Sequence, residues 1–150
     1  MALFDAMFEF DDNHDVFETN DTHVSEHLID MQAADLEMGA GTPLYLNVRV
    51  GTIAFTGGTS VQVILRADTD ANQTGGTDIY ASEAFAVDDD DTAIGAWLVR
   101  QALDVDFDKE QYIYVAYTCV GVVTAGNVNC WIDHGPQSSY DTQVNASNIA

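Results

Sequence analysis

Two runs of this chain carry side chains at spacings that could do chemistry. The first, His23-Val-Ser-Glu26-His27, has the H-x-x-E-H pattern in which two histidines hold zinc and the glutamate serves as general base. That chemistry needs a helix, so that His23 and His27 share one face. The flanking residues do not build a secure helix, and the rest of the chain offers no catalytic lobe, so the run reads as a polar lead into a strand. The second, Asp68-Ala-Asp70-Ala-Asn72, places oxygen ligands at alternate positions as calcium loops do. It then departs from the EF-hand pattern, with Gln73 where glycine is needed and Ile79 where a bidentate glutamate belongs. Together with the acidic run 88–91 it reads as solvated loop charge. His134 and Ser138 are neighbours in sequence, which does not make a triad, and no glycine-rich phosphate loop is present. The sequence therefore predicts a protein that is not an enzyme, with no metal site and no cofactor.

Charge narrows the partners. Four Lys and Arg stand against 25 Asp and Glu in 150 residues, a formal net charge of −21. Such a chain repels phosphate backbones, so nucleic acid is excluded as a partner. Its self-repulsion calls for salt, divalent cations or a basic docking surface. A hydrophobic fraction of 47% over 150 residues is enough for one self-contained core. The N-terminal run has no basic segment and no uninterrupted apolar stretch, so neither a signal peptide nor a membrane partner is expected.

The elements that would position any site are strands. In Leu44-Tyr-Leu-Asn-Val-Arg-Val50, Leu44, Leu46, Val48 and Val50 alternate with Tyr45, Asn47 and Arg49, the pattern of a strand with one buried face. Further strands are predicted at 60–67, with Val61, Val63 and Leu65 inward, and at 79–86, 96–103, 112–120 and 128–133. The last two are expected to form a hairpin turning at Thr124-Ala125-Gly126. A hairpin centred there sets Cys119 opposite Cys130, as free buried thiols rather than a disulfide. Residues 22–38 are ambiguous. Val24, Leu28 and Met31 recur at helical spacing, and a strand at 27–31 is the alternative. Strands recurring at this spacing point to an all-β sandwich or barrel.

Upstream, Phe4, Phe8, Phe10 and Phe17 are interspersed with Asp5, Glu9, Asp11, Asp12, Asp15 and Glu18. This composition predicts an extended arm whose phenylalanines anchor on a neighbouring subunit or partner; folding back as an edge strand of its own domain is the competing reading. The expected organisation is an arm over 1–26, a β-sandwich over 27–134 and a polar tail over 135–150.

The opening Met-Ala-Leu-Phe-Asp, the Leu28-Ile-Asp30 segment, the block Gly39-Ala-Gly-Thr-Pro-Leu-Tyr-Leu46, and Tyr112-Ile-Tyr-Val-Ala-Tyr117 with Thr124-Ala-Gly-Asn-Val128 resemble capsid cement, or decoration, proteins of tailed bacteriophages. The resemblance spans residues 1–132. It implies a jelly-roll-like antiparallel β-sandwich and favours strand over helix at 27–31. It also implies a homo-oligomer, expected as a trimer, that binds the major capsid protein on the outer surface of the virion after assembly in the host cytoplasm. On that reading, deleting residues 1–17 should abolish particle binding and leave the β domain folded. A carbohydrate-binding or host-adhesion module using calcium and exposed tyrosines is the alternative.

Overall fold

The computed structural model describes residues 8–31, 44–103 and 110–133. Their strands are β1 (Glu9–Asp15), β2 (Thr22–Val24), β3 (Ile29–Asp30), β4 (Tyr45–Val50), β5 (Thr56–Gly57), β6 (Ser60–Asp68), β7 (Thr77–Ala86), β8 (Trp97–Ala102), β9 (Tyr112–Val120), β10 (Val123–Ala125) and β11 (Asn127–Asp133). All pairings are antiparallel. One sheet runs β1-β11-β4-β8; the other runs β2-β9-β6-β7, with β3 also on β9. The chain is thus an all-β sandwich, with no α-helix among the described residues.

Period-two alternation builds the core. Leu46, Val48 and Val50 of β4 face Val61, Val63 and Leu65 of β6, with Val128, Cys130 and Ile132 of β11 and Ile113, Val115, Tyr117 and Cys119 of β9 completing one buried cluster between the sheets. Burial of these side chains, each contributing about 1.5–3 kcal/mol of transfer free energy, is what holds the two sheets face to face.

Two expectations are corrected here. The hairpin between the last long strands does not form, because β9 belongs to one sheet and β11 to the other. Residues 121–126 carry the chain between sheets, and β10 within them pairs with β5. Gly126 makes the crossing possible. It sits at φ +146°, and a Cβ there would lie 2.5 Å from the Phe55 ring. Cys119 therefore pairs with Val61, and Cys130 with Val48 and Asp11, rather than with each other. Both cysteines are free and buried.

The second correction concerns the arm. Residues 9–15 form β1, an edge strand on β11, and residues 22–24 form β2, an edge strand on β9. A boundary at residue 26 would cut through the sandwich. Phe10 is fully buried in its own core, as is Val16, and Phe8 packs against that core. Phe17 alone of the described anchors is exposed, at 51%; Phe4 lies outside the described residues, as does the whole of the expected tail over 135–150. Deleting residues 1–17 would thus remove a strand and a core phenylalanine, so it cannot separate docking from folding. In the ambiguous stretch the strand is found, as β2 and β3, and residues 32–38 lie outside the described residues.

Candidate functional site

The open flank of the sandwich, between edge strands β1 and β2, is closed by polar side chains. Two register irregularities in β1 arrange this, one between Glu9 and Asp11 and one between Asp11 and His14. The first lets Phe10 and Asp11 both turn inward. The second contains Asn13, held at φ +49°, a left-handed conformation that asparagine tolerates better than most residues. His14 then lies opposite Val128 and His23 of β2 opposite Tyr117, so both imidazoles enter the gap between the sheets.

Asp11 lies at the bottom of this seam, with no exposed surface. Its Oδ2 accepts from the Tyr117 hydroxyl at 2.5 Å and its Oδ1 accepts from the Glu26 N–H at 2.7 Å. Burial raises its pKa above the usual aspartate value, against the lowering effect of those two hydrogen bonds. Burial likewise pushes the Tyr117 hydroxyl and the Cys130 thiol well up, and holds the Cys119 thiol at about 11. Neither cysteine is a thiolate at neutral pH, which removes both as nucleophiles.

Above Asp11, the Nε2 atoms of His14 and His23 approach to 3.0 Å. His23 Nδ1 lies 3.3 Å from Glu18 Oε1, and His14 Nδ1 lies 4.0 Å from Glu26 Oε2. The H-x-x-E-H run is therefore on strand and turn rather than helix, and His23 meets His14 instead of His27. His14 was not singled out by the sequence. It is nine positions from His23, and only the pairing of two edge strands on different sheets brings them together.

The second feature is the outer face of the four-stranded sheet. Arg49 of β4 lies opposite Trp97 of β8, and Asn47 lies between Arg100 and Trp131. The Arg100 guanidinium stands 4.0 Å over the Trp97 ring, the Arg49 guanidinium 5.6 Å from it, and Trp131 meets Trp97 edge-on at 5.8 Å. Arg49 Nε donates to the Gly95 carbonyl at 3.0 Å, which fixes its direction. Trp97 remains 37% exposed. Two of the chain's four basic residues thus converge on one tryptophan. The third arginine, Arg66, is paired with Asp78 at 2.7 Å. Sequence reading missed this patch because Trp97 looked like strand filler and the arginines are 51 positions apart; a rare cation opposite an aromatic was the available signal.

Elsewhere, the expected acidic loops spend their oxygens on turns. Asp68 Oδ1 accepts from the Asp70 N–H, Asn72 Oδ1 from the Thr74 N–H and hydroxyl, and Asp89 Oδ1 from the Asp90 N–H at the start of a 3-10 turn. Phe17, Val120 and Val122 are each exposed, and Thr19 forms an antiparallel bridge with Val122.

No curated protein matches this chain. The Bbp16 family does, over residues 17–132, a span that runs from the exposed Phe17 through β2 and the tryptophan patch to the penultimate residue of β11. With well over half of its length matched, the chain belongs to the Bbp16 family.

Proposed function

We propose that this chain is a capsid cement protein, a homo-oligomer, expected as a trimer, that binds the major capsid protein on the outside of a phage particle and stabilises the shell. The resemblance of residues 1–132 to decoration proteins supports this reading, as does the all-β sandwich. The observation that carries it is the Trp97 patch. Tryptophan and arginine are the residue types that dominate binding energy at protein interfaces, and here they are presented together on one sheet face in a chain of net charge −21. Acidic surface elsewhere keeps the docked protein soluble and disfavours docking by other faces.

Co-sedimentation of the purified chain with shells assembled from the capsid protein tests this. Saturable binding is expected, reduced at least tenfold by Trp97→Ala with the circular dichroism spectrum retained. Absence of binding by the unsubstituted chain, in both low and high salt, overturns the function; unchanged binding by Trp97→Ala overturns the assignment of the face.

A further inference from the structure

We propose that His14 and His23 form a binding site for a transition-metal ion of the zinc class, with Glu18 and Glu26 holding the two rings. Four groups lie in series across the seam: the Glu26 carboxylate, the His14 ring, the His23 ring and the Glu18 carboxylate. A carboxylate facing Nδ1 selects the tautomer that carries its proton there. Glu18 does this for His23 at 3.3 Å and leaves its Nε2 lone pair bare, Glu26 stands on the Nδ1 side of His14 at 4.0 Å, and the two Nε2 atoms converge at 3.0 Å. Two ring nitrogens at that distance need an electrophile between or beside them, either a proton on His14 Nε2 or a metal ion. A zinc ion bound at about 2.0–2.1 Å with a tetrahedral angle needs its nitrogens roughly 3.3 Å apart, a few tenths from the spacing found.

The surroundings fit such an ion. The side chains of His14 and His23 are 22% and 23% exposed, so the rings are fixed by packing yet reachable from solvent. The ring of Phe17 lies 6.2 Å from that of His23 and restricts its swing. Imidazole nitrogens select zinc, copper or nickel over calcium and magnesium, which prefer oxygen. Among the described residues no third His, Cys, Asp or Glu joins the pair as a ligand. The remaining positions fall to water or to a donor from a docked neighbour. An ion there would tie β1 to β2, edge strands of the two sheets, and add to the bonds from the His27 N–H to the Phe10 carbonyl and from the Glu26 N–H to Asp11 that already join this flank. The proposal does not depend on the capsid reading.

The test is calorimetric titration of the full chain with zinc chloride at pH 7.5 in excess magnesium, which saturates carboxylates of the acidic surface but not imidazoles. One equivalent per chain and a raised melting temperature are expected. His23→Gln should abolish that site. Glu18→Gln, a partly exposed change that keeps both ligands, should weaken it by about 10- to 100-fold, as loss of an orienting carboxylate does. Nitrogen NMR of the histidines in the unsubstituted chain should show zinc moving the Nε2 resonances of His14 and His23 and leaving His27 in place. Zinc uptake that magnesium eliminates, uptake unchanged in His23→Gln, or Nε2 resonances that respond only to pH would each overturn the site; the last would show that the pair shares a proton instead.

Discussion

On the outer face of the five-stranded sheet, Ile64, Tyr114 and Ala116 are buried beneath Val24 and Leu28, while on the outer face of the four-stranded sheet Trp97 stands exposed between two arginines. The covered face is closed by the chain itself. The Tyr114 hydroxyl donates to the Gly75 carbonyl, and Gln73 Nε2 donates to the Ser25 carbonyl at 3.0 Å, so the loop after β6 and the segment between β2 and β3 are bonded together over it. No such cover lies over Trp97 among the described residues. Both faces carry large aromatic side chains, so hydrophobicity does not distinguish them. What differs is that the Tyr114 hydroxyl is bonded by a loop that lies over its ring, whereas the Arg49 guanidinium, whose Nε donates to the Gly95 carbonyl, stands beside a ring that remains 37% exposed. The covered face contributes to stability, and the open one is the face proposed above to meet the shell.

The comparison breaks most directly at Tyr114. Tyr114→Ala removes a buried ring and the bond that anchors the cover, and should cost about 3–5 kcal/mol, read as a fall in the urea midpoint with the slope unchanged. A loss under about 1 kcal/mol would show the cover to be loosely held, and the two faces alike.

Asp11, in the seam that joins the faces, gives the next largest effect. Asp11→Ala leaves the Tyr117 hydroxyl and the Glu26 N–H without their acceptor, and about 1–3 kcal/mol for each such group predicts a total of 2 kcal/mol or more. The pH dependence has a definite sign. Because burial raises the folded-state pKa, the folded chain binds the proton more tightly than the unfolded chain, so this residue's contribution falls as pH rises from the ordinary value of 3.8 through the raised one. Asp11→Asn should flatten that part of the stability profile. An unchanged slope would place the titration elsewhere.

Gly76 tests the cover without touching its core. It sits at φ +103°, and a Cβ there would lie 2.4 Å from the Ala67 carbonyl oxygen. Gly76→Ala should cost about 1–3 kcal/mol through backbone strain and displacement of the loop. Thermal melts, with fluorescence of the tyrosines as a local probe, would read both effects; full retention of stability would mean that the loop can detach from the sheet without cost.

How much of this was legible follows from where period two holds. It holds through β4, β6, β9 and β11, whose inward residues were readable one by one. It fails in β1, where Glu-Phe-Asp-Asp-Asn-His-Asp looked too charged for core, so that the edge strand was only the competing reading, and two bulges break the alternation. That failure turned Phe10 from a core residue into an expected anchor. It also hid the seam, since Asp11 and His14 acquire partners only through those bulges. The hairpin between Tyr112 and Asp133 failed for a different reason. Thr124-Ala125-Gly126 looks like a turn, but local turn chemistry cannot say whether the strand beyond it rejoins the same sheet or crosses to the other, which is settled by non-local packing of Phe55 against Gly126. The H-x-x-E-H run drew attention to His23 and Glu26, but by a helical geometry that the strand does not have.

The smallest effect on stability should fall on the open face, and that is where the comparison becomes sharpest. Trp97→Ala removes an edge-on ring contact with Trp131 and two cation–π contacts, together worth about 1.5 kcal/mol at the lower end for exposed sites. The same substitution should weaken shell binding at least tenfold, since a tryptophan at the centre of an interface commonly contributes 2 kcal/mol or more. Tyr114→Ala should do the reverse once corrected for the fraction folded, lowering stability while the folded molecules bind as before. Arg49→Gln separates charge from stacking. If the arginines engage an acidic partner, the variant's binding should lose part of its salt dependence while its melting temperature stays within about a degree or two of the parent. A binding defect that tracks thermal stability across all three substitutions would erase the distinction between the faces, because it would mean that Trp97 acts by holding the sheet rather than by meeting a partner.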